Sequence, residues 1–125
     1  MRRELDEALV RDFPRLYRDR HGDVRQSAMP FGFECGNGWE PLIRRLSARL
    51  GPDVVATQVK EKWGGLRFYV DGATDADHAA IDAAERESYV TCEECGEAGR
   101  ERNDGWIKTL CDPCASGGSL PPDRS

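Results

Sequence analysis

Residues 54–70 read VVATQVKEKWGGLRFYV, and side-chain polarity alternates with a period of two on either side of Trp63-Gly64-Gly65. Such alternation is typical of half-buried β-strands, and a glycine pair between two such runs indicates a tight turn. We therefore predict a β-hairpin. Because a two-stranded hairpin is marginally stable alone, other elements must cover its apolar face. That face is predicted to carry Val55, Val59, Leu66, Phe68 and Val70.

Three further segments have apolar residues at helical spacing and supply this cover. They are residues 4–20, with an interruption at Pro14, residues 39–50 and residues 75–88. Proline removes an amide donor, so the first helix should kink or break at that point. The third opens with Thr74 and Asp77 at the spacing of a capping box. We predict an α+β fold in which helices pack on a β-hairpin or small antiparallel sheet.

Two Cys-x-x-Cys pairs follow the third helix. Cys92 and Cys95 form the first pair and Cys111 and Cys114 the second, with fifteen residues between the pairs. Each pair presents two thiolates from one turn, and structural Zn²⁺ takes four such ligands in a tetrahedron. We predict one Zn²⁺, structural because the four cysteines leave no position open to water. A disulfide framework is the alternative interpretation.

Length and composition suggest how the chain is divided. With 125 residues, of which 38% are hydrophobic and 33% charged, the chain supports one compact core and a small metal-stapled module. We predict an α+β core domain over residues 1–88, a zinc-ribbon module over 89–115 and a disordered Gly-, Ser- and Pro-rich tail over 116–125. No apolar run suits a bilayer span or a secretory signal, so we expect a cytoplasmic protein without a membrane partner.

Charge is distributed unevenly along the sequence. Through Val70 there are thirteen Lys or Arg residues against ten Asp or Glu residues, whereas from Asp71 onward there are five against thirteen. Nucleic-acid affinity comes largely from the neutralisation of phosphates, so an acidic ribbon disfavours nucleic-acid binding through that module. Nucleic-acid binding through the basic N-terminal half stays open as an alternative.

The polar face of the hairpin is a candidate binding surface. Basic side chains beside the Gly64-Gly65 turn could receive an anion, such as a phosphate or an acidic protein segment, and the second helix could extend this surface. The other interpretation is a solvated face whose lysines prevent a strand edge from pairing with another chain. The candidate residues, including two tryptophans, are Lys60, Lys62, Trp63, Gly64, Gly65, Arg67, Tyr69, Arg45, Arg49 and Trp106.

The two tryptophans of this set allow two interpretations. Trp63 lies at the hairpin turn and Trp106 between the cysteine pairs. Exposed tryptophan is frequent in binding hot spots. The favoured interpretation is that both pack the ribbon against the hairpin, which would explain the fusion of the two modules.

Cys35 is the one cysteine outside the pairs, and it lies in a glycine-rich loop before the second helix. A helix N-terminus can lower a thiol pKa, but a nucleophile also needs a base. No local pattern brings His21 or His78 to it. We therefore favour a small buried hydrophobe at this position, and a binding protein over an enzyme.

Three segments in this order resemble a known family. They are GFECGNGW at 32–39, VKEKWGGLRFY at 59–69, and the Cys-x-x-Cys-Gly ribbon with GWIKTLC at 105–111. They are similar to the small uncharacterised zinc-ribbon proteins of bacteriophages, prophages and scattered bacterial genomes, over roughly residues 31–115. Some of those proteins have histidine, also a zinc ligand, where this chain has Cys114. The resemblance implies a zinc site and a mobile-element setting, and no particular activity.

Together these observations favour a zinc-stabilised intracellular binding protein of phage or mobile-element origin that acts on a host or phage macromolecule, with a host or phage protein as the expected partner. A first alternative is a pocket, formed by the hairpin surface and the glycine-rich loop, that binds or sequesters a nucleotide-like phosphorylated small molecule. Nucleic-acid binding through the N-terminal half is the second.

Overall fold

The structure, a computed structural model, describes residues 1–116 and has an α+β fold, as predicted. The predicted disordered tail lies outside the described residues, except for Ser116. The helices are α1 (Arg3–Asp12), α2 (Glu40–Arg49), α3 (Asp75–Ser88) and α4 (Asp112–Ala115). The strands are β1 (Phe33–Glu34), β2 (Val55–Lys62), β3 (Gly65–Asp71), β4 (Arg100–Asn103) and β5 (Ile107–Leu110).

The strands form two small sheets. The first has the order β1-β2-β3, with β1 parallel to β2 and β2 antiparallel to β3, so it is mixed. The second consists of the antiparallel pair β4 and β5, between the two cysteine pairs. The hairpin of β2 and β3 was predicted from its alternation. The parallel strand β1 was missed because two residues are too few to show a period.

The turn between β2 and β3 has two residues with positive φ. Trp63 has φ +57° and Gly64 has φ +83°. Positive φ at both central residues defines a type I′ turn, whose twist matches that of the flanking strands. Trp63 is the only non-glycine residue with positive φ among residues 1–116.

A bulge in β2 changes which side chains face the core. Ala56 pairs with Val70 and Gln58 pairs with Tyr69, so Thr57 is an extra residue on β2. One inserted residue reverses the alternation on one side of the bulge. Ala56 is therefore buried and Val55 only partly so. The prediction that Val55 belongs to the apolar face is wrong, whereas Val59, Leu66 and Phe68 are buried as predicted.

The first helix is shorter than predicted. It ends at Asp12, and turns follow through His21, so the helix stops before Pro14 instead of kinking there. A residue that precedes proline is sterically biased away from helical geometry, which explains the early end. Leu16 and Tyr17 are nevertheless buried, because the turns fold back onto the core.

The main core combines residues of α1, α2, α3 and the first sheet. Its largest fully buried side chains include Trp39, Tyr17, Leu9, Met29 and Ile43. The predicted capping box of α3 is present: the Asp77 N–H donates to Thr74 Oγ1, and the Thr74 N–H donates to Asp77 Oδ2 at 2.9 Å. Within residues 1–116, no helix combines the length and apolarity that crossing a bilayer requires.

Candidate metal centre and adjoining cleft

Four cysteine sulfur atoms converge beside the second sheet. The Sγ atoms of Cys92, Cys95, Cys111 and Cys114 all lie within 4.8 Å of one another, and those of Cys95 and Cys111 are 3.5 Å apart. A tetrahedron of thiolates with zinc–sulfur bonds of about 2.3 Å has neighbouring sulfurs about 3.8 Å apart. A disulfide needs sulfurs at about 2.05 Å, and these cysteines are free. The cluster can hold a metal ion, and its geometry is consistent with zinc.

Local backbone geometry presents the four thiols. Gly96 has φ +85° and its N–H donates to the Cys92 carbonyl at 2.9 Å, which closes the first turn. The second pair straddles the start of α4, where the Ala115 N–H donates to the Cys111 carbonyl at 2.9 Å. Burial opposes ionisation of Cys92, but hydrogen bonds from backbone N–H groups lower its pKa to about 7. This favours the thiolate at Cys92, whereas burial and hydrogen bonds with the other three cysteines raise the pKa of Cys114. Binding of a metal ion would displace the protons that remain on the thiols.

The glycine-rich loop of residues 32–39 packs against the turn of the first cysteine pair. The Gly38 N–H donates to the Glu93 carbonyl at 2.7 Å, and the Gly36 N–H donates to Glu93 Oε2 at 2.9 Å. A Cβ on Gly38 would overlap the Cys92 carbonyl oxygen, and one on Gly36 would overlap the Glu93 carbonyl oxygen. Both positions therefore need glycine because two backbones meet there.

Two further residues of the loop are buried in the core. Trp39 is fully buried and its Nε1–H donates to the Thr91 carbonyl at 2.9 Å, just before the first cysteine pair. Cys35 is also buried, and burial, reinforced by the charge of Glu93, raises its pKa to about 12. A thiol with this pKa is protonated at neutral pH and lacks the character of a nucleophile. Cys35 packs as a small hydrophobe, as predicted.

The hairpin turn packs against the other side of the ribbon. Thr109 Oγ1 donates to the Gly64 carbonyl at 2.6 Å, and the Tyr89 ring covers Gly65 so closely that a Cβ there would overlap it. Lys108 Nζ lies 3.1 Å from Glu61 Oε1 and 3.4 Å from Glu93 Oε1. The glycine-rich loop and the hairpin turn, which belong to two of the three sequence motifs, thus both contact the ribbon, which contains the third.

The structure divides the predicted basic surface. Arg67 pairs with Glu85 at 2.6 Å and Arg45 pairs with Glu87. The Gly64 N–H donates to Glu61 Oε2 at 2.8 Å, so it is already engaged. The predicted residues do not share one site: Arg45 and Arg49 line a groove between α2 and α3, whereas Lys62, Trp63 and Trp106 line a cleft beside the ribbon. Tyr69 is exposed on β3 and Lys60 is partly buried on β2.

The two tryptophans are exposed, which contradicts the favoured interpretation that they pack the ribbon onto the hairpin. Trp63 is 62% exposed and Trp106 is 78% exposed. Thr109 and Tyr89 make the packing contacts with the turn glycines instead. Trp63 and Trp106 together line a cleft of about 490 Å³, and Trp106 also borders a second cleft of about 490 Å³.

Several residues of this region were absent from the predicted sites. Glu61 lines both clefts and receives hydrogen bonds from Lys108 and Gly64. The sequence did offer one signal for Glu61, because this carboxylate lies close to the apolar positions of β2. Glu93 and Thr109 carried none, because their importance lies in contacts with residues distant in the sequence.

In comparisons with known proteins, no family model matches this chain, and no curated protein or solved structure matches it. The resemblance to phage and prophage zinc-ribbon proteins stays a prediction. The structure defines an α+β protein with a four-cysteine cluster suited to a metal ion.

Proposed function

We propose that this chain is a zinc-stabilised intracellular binding protein that acts by contact with a host or phage macromolecule. One observation carries the proposal: the ribbon is fixed to the core on one side and leaves Trp63 and Trp106 exposed together on a cleft. Exposed tryptophans that share a concave surface are typical of binding hot spots. The phage or mobile-element setting rests on the sequence resemblance alone.

The role of the metal in this proposal is structural. The four cysteine thiolates would fill the tetrahedral shell of one Zn²⁺, leaving no position for water or substrate. When bound, the ion supplies a cross-link between the two cysteine turns. The first of those turns carries the backbone groups that meet Gly38, so the cross-link also supports the contact between ribbon and core.

The two alternatives have less support from the geometry. A pocket for a nucleotide-like molecule would need several free donors that converge, yet Arg67 and the Gly64 N–H are engaged by Glu85 and Glu61. Nucleic-acid binding would need a continuous basic surface, and many arginines of the N-terminal half pair with carboxylates, as Arg20 does with Asp6 and Arg44 with Asp12.

The test is quantitative capture with matched baits. The metal-loaded protein, the double variant Trp63→Asn/Trp106→Ala and the variant Phe31→Ala would be compared as baits in host and phage-infected lysates. Phe31 is 64% exposed and lines a different groove, near the N-terminus, which makes it a matched control. We expect a macromolecule that binds the protein and the Phe31 variant, is lost with the double variant, and rebinds when purified. Equal retention by all three baits would contradict the proposal.

Native mass spectrometry of protein purified gently from cells separates the remaining alternatives. We expect one zinc per chain and no further small-molecule mass. A retained nucleotide-sized mass would favour the small-molecule alternative. Co-purifying nucleic acid whose affinity falls steeply with salt would favour the second alternative.

A further inference from the structure

The four cysteines of the metal cluster differ in their exposure to solvent. Cys92 is fully buried and Cys111 is buried, Cys114 is half-buried, and Cys95 is exposed. The neighbours of Cys95 at positions 94 and 96–98 are exposed as well, so this turn forms part of the surface of the ribbon. A reagent in solution therefore meets Cys95 before any other member of the cluster.

Hydrogen bonding protects the other cysteine of the first pair. Backbone N–H groups of Glu94, Cys95 and Cys111 donate to Cys92 Sγ. Such bonds stabilise the negative charge of a thiolate, and a stabilised thiolate is a weaker nucleophile. Cys92 is thus shielded both by burial and by its hydrogen bonds, which leaves Cys95 as the reactive sulfur of the first turn.

A second sulfur lies close to that of Cys95. The Sγ atoms of Cys95 and Cys111 are 3.5 Å apart, and a disulfide between them would need an approach to about 2.05 Å. Cys111 belongs to the second cysteine pair, so this contact joins the two turns of the cluster. Cys35, the remaining cysteine, is buried in the core outside the cluster.

We propose that Cys95 is an oxidant-sensitive site: hydrogen peroxide oxidises its sulfur, a disulfide forms with Cys111, and the cluster releases its metal ion. This inference goes beyond the proposed function and does not need the exposed tryptophans. It shares with the proposed function only the single Zn²⁺ held by the four thiolates.

The reaction is a two-electron oxidation with hydrogen peroxide as the oxidant. The Cys95 thiolate attacks one peroxide oxygen, so that an S–O bond forms, the O–O bond breaks and hydroxide leaves; the product is a sulfenic acid. The Cys111 thiolate then attacks the Cys95 sulfur, so that an S–S bond forms, the S–O bond breaks and a second hydroxide leaves. The two sulfurs together lose two electrons, and the peroxide gains them.

The disulfide removes two of the four ligands. Only the Cys92 and Cys114 thiolates then remain, whereas structural Zn²⁺ takes four ligands, so the ion is released. The first turn also contacts the core, because the Trp39 Nε1–H donates to the Thr91 carbonyl just before Cys92. Oxidation at the surface of the ribbon therefore loosens its contact with the core.

The test treats the full, zinc-loaded chain with excess hydrogen peroxide. A metal-indicator dye follows the released zinc, and peptide mass spectrometry after differential thiol alkylation identifies the cysteines that have been oxidised. We expect zinc release to keep pace with a Cys95–Cys111 disulfide while Cys35 stays reduced. The Trp39 indole N–H signal should move during oxidation and return after a thiol reductant and zinc are added.

Histidine variants make this test specific, because histidine also ligates zinc but offers no sulfur to the oxidant. Cys95→His should release zinc roughly tenfold more slowly than the unmodified chain. Cys114→His is the matched control and should release it at nearly the unmodified rate. In Cys111→His the sulfenic acid lacks its nearest partner, so a 1,3-dione probe should label Cys95.

Several outcomes would overturn the inference. They are zinc retention under peroxide, a first disulfide between other cysteines, and equal protection by Cys95→His and Cys114→His. If Cys95→His does not load zinc, the order of oxidation in the unmodified chain decides the question. A chain that never holds zinc would overturn the inference too. In each of these cases, capture of a macromolecule that depends on Trp63 and Trp106 would leave the binding function standing.

Discussion

Gly38 lies where the glycine-rich loop and the first cysteine turn make backbone contact. Its N–H donates to the Glu93 carbonyl, and a Cβ would overlap the Cys92 carbonyl oxygen. We expect Gly38→Ala to lower the free energy of unfolding by about 2–3 kcal/mol, because backbone cannot yield as a flexible side chain can. Urea unfolding of the metal-loaded protein measures this.

Gly51→Ala is the matched control for that substitution. A Cβ on Gly51 would meet the Asp77 carboxylate at an ordinary 3.5 Å. Its free energy of unfolding should stay within about 1 kcal/mol of the unmodified protein. Equal stability of the two variants would show that the loop and the cysteine turn are not in close contact.

Trp63 allows backbone strain to be separated from side-chain packing. Both Trp63→Asn and Trp63→Ala remove the exposed indole, but only asparagine readily adopts the positive φ of the turn. We expect the asparagine variant to be about 1 kcal/mol more stable than the alanine variant and at least as stable as the unmodified protein. Thermal or urea unfolding gives the comparison. A similar loss in both variants would mean that the indole contributes packing.

At the scale of elements, α3 is the helix whose boundaries were best predicted. Thr74 and Asp77 cap it through reciprocal hydrogen bonds, which depend only on neighbours in the sequence. Thr74→Ala removes the side-chain acceptor of the Asp77 N–H and should cost about 1 kcal/mol of stability. Thr74→Ser keeps the hydroxyl and should retain most of that stability. Urea unfolding near neutral pH measures both, and an unaffected alanine variant would contradict the capping role.

The same cap predicts a pH dependence. Backbone N–H groups of Thr74 and Gly51 donate to the Asp77 carboxylate and lower its pKa. In the unfolded chain an aspartate side chain has a pKa of about 3.9, so the cap contributes its full stability above that pH. The contribution is lost as pH falls through the lower pKa of the folded state. Carboxyl ¹³C NMR should give Asp77 a lower midpoint in the folded protein than in urea, and coincident midpoints would exclude this linkage.

The other elements show the limits of local pattern. The apolar spacing of α1 continued past Pro14, but the helix ended at Asp12 because proline restricts the residue before it. The alternation in β2 placed Val55 inwards, but the bulge at Thr57 reversed it. A bulge is set by pairing with the neighbouring strand, so the sequence of one strand does not reveal it.

At the scale of the whole molecule, the metal is expected to hold the ribbon against the core. Removal of zinc by a strong chelator should release residues 89–116, because metal binding supplies folding free energy to small zinc modules. The Trp39 indole donates to the Thr91 carbonyl, so its N–H signal should move when the ribbon is released. Metal analysis combined with ¹H–¹⁵N spectra tests this. A chelated protein with an unchanged Trp39 signal would contradict the coupling.

Cysteine variants complete that prediction. Cys111→Ser should bind zinc more weakly and lose it at a higher pH than the unmodified protein does, because protons compete for the remaining thiolates. Cys35→Ala is the matched control, since Cys35 is buried in the core outside the cluster. The Cys35→Ala variant should retain one zinc per chain even if its free energy of unfolding falls. Loss of metal in the control with retention in the serine variant would reassign the ligands.

Much of this protein follows from patterns within short segments. The spacing of the four cysteines, the glycine turn between two alternating runs and the capping box of α3 each depend on the geometry of adjacent residues, and the structure contains all three. The physical reason is that a turn, a cap and a pair of ligands are completed within a few residues. The α+β class followed from the same patterns.

Long-range contacts decided the remainder. Gly36 and Gly38 are required by a cysteine turn more than fifty residues away, and the predicted basic surface is divided by pairs such as Arg67 with Glu85. Trp63 and Trp106 lie exposed on one cleft because Thr109 and Tyr89 fill the space against the turn glycines. Which side chain packs and which stays exposed depends on the shape of the opposing surface, and that surface exists only once the chain has folded.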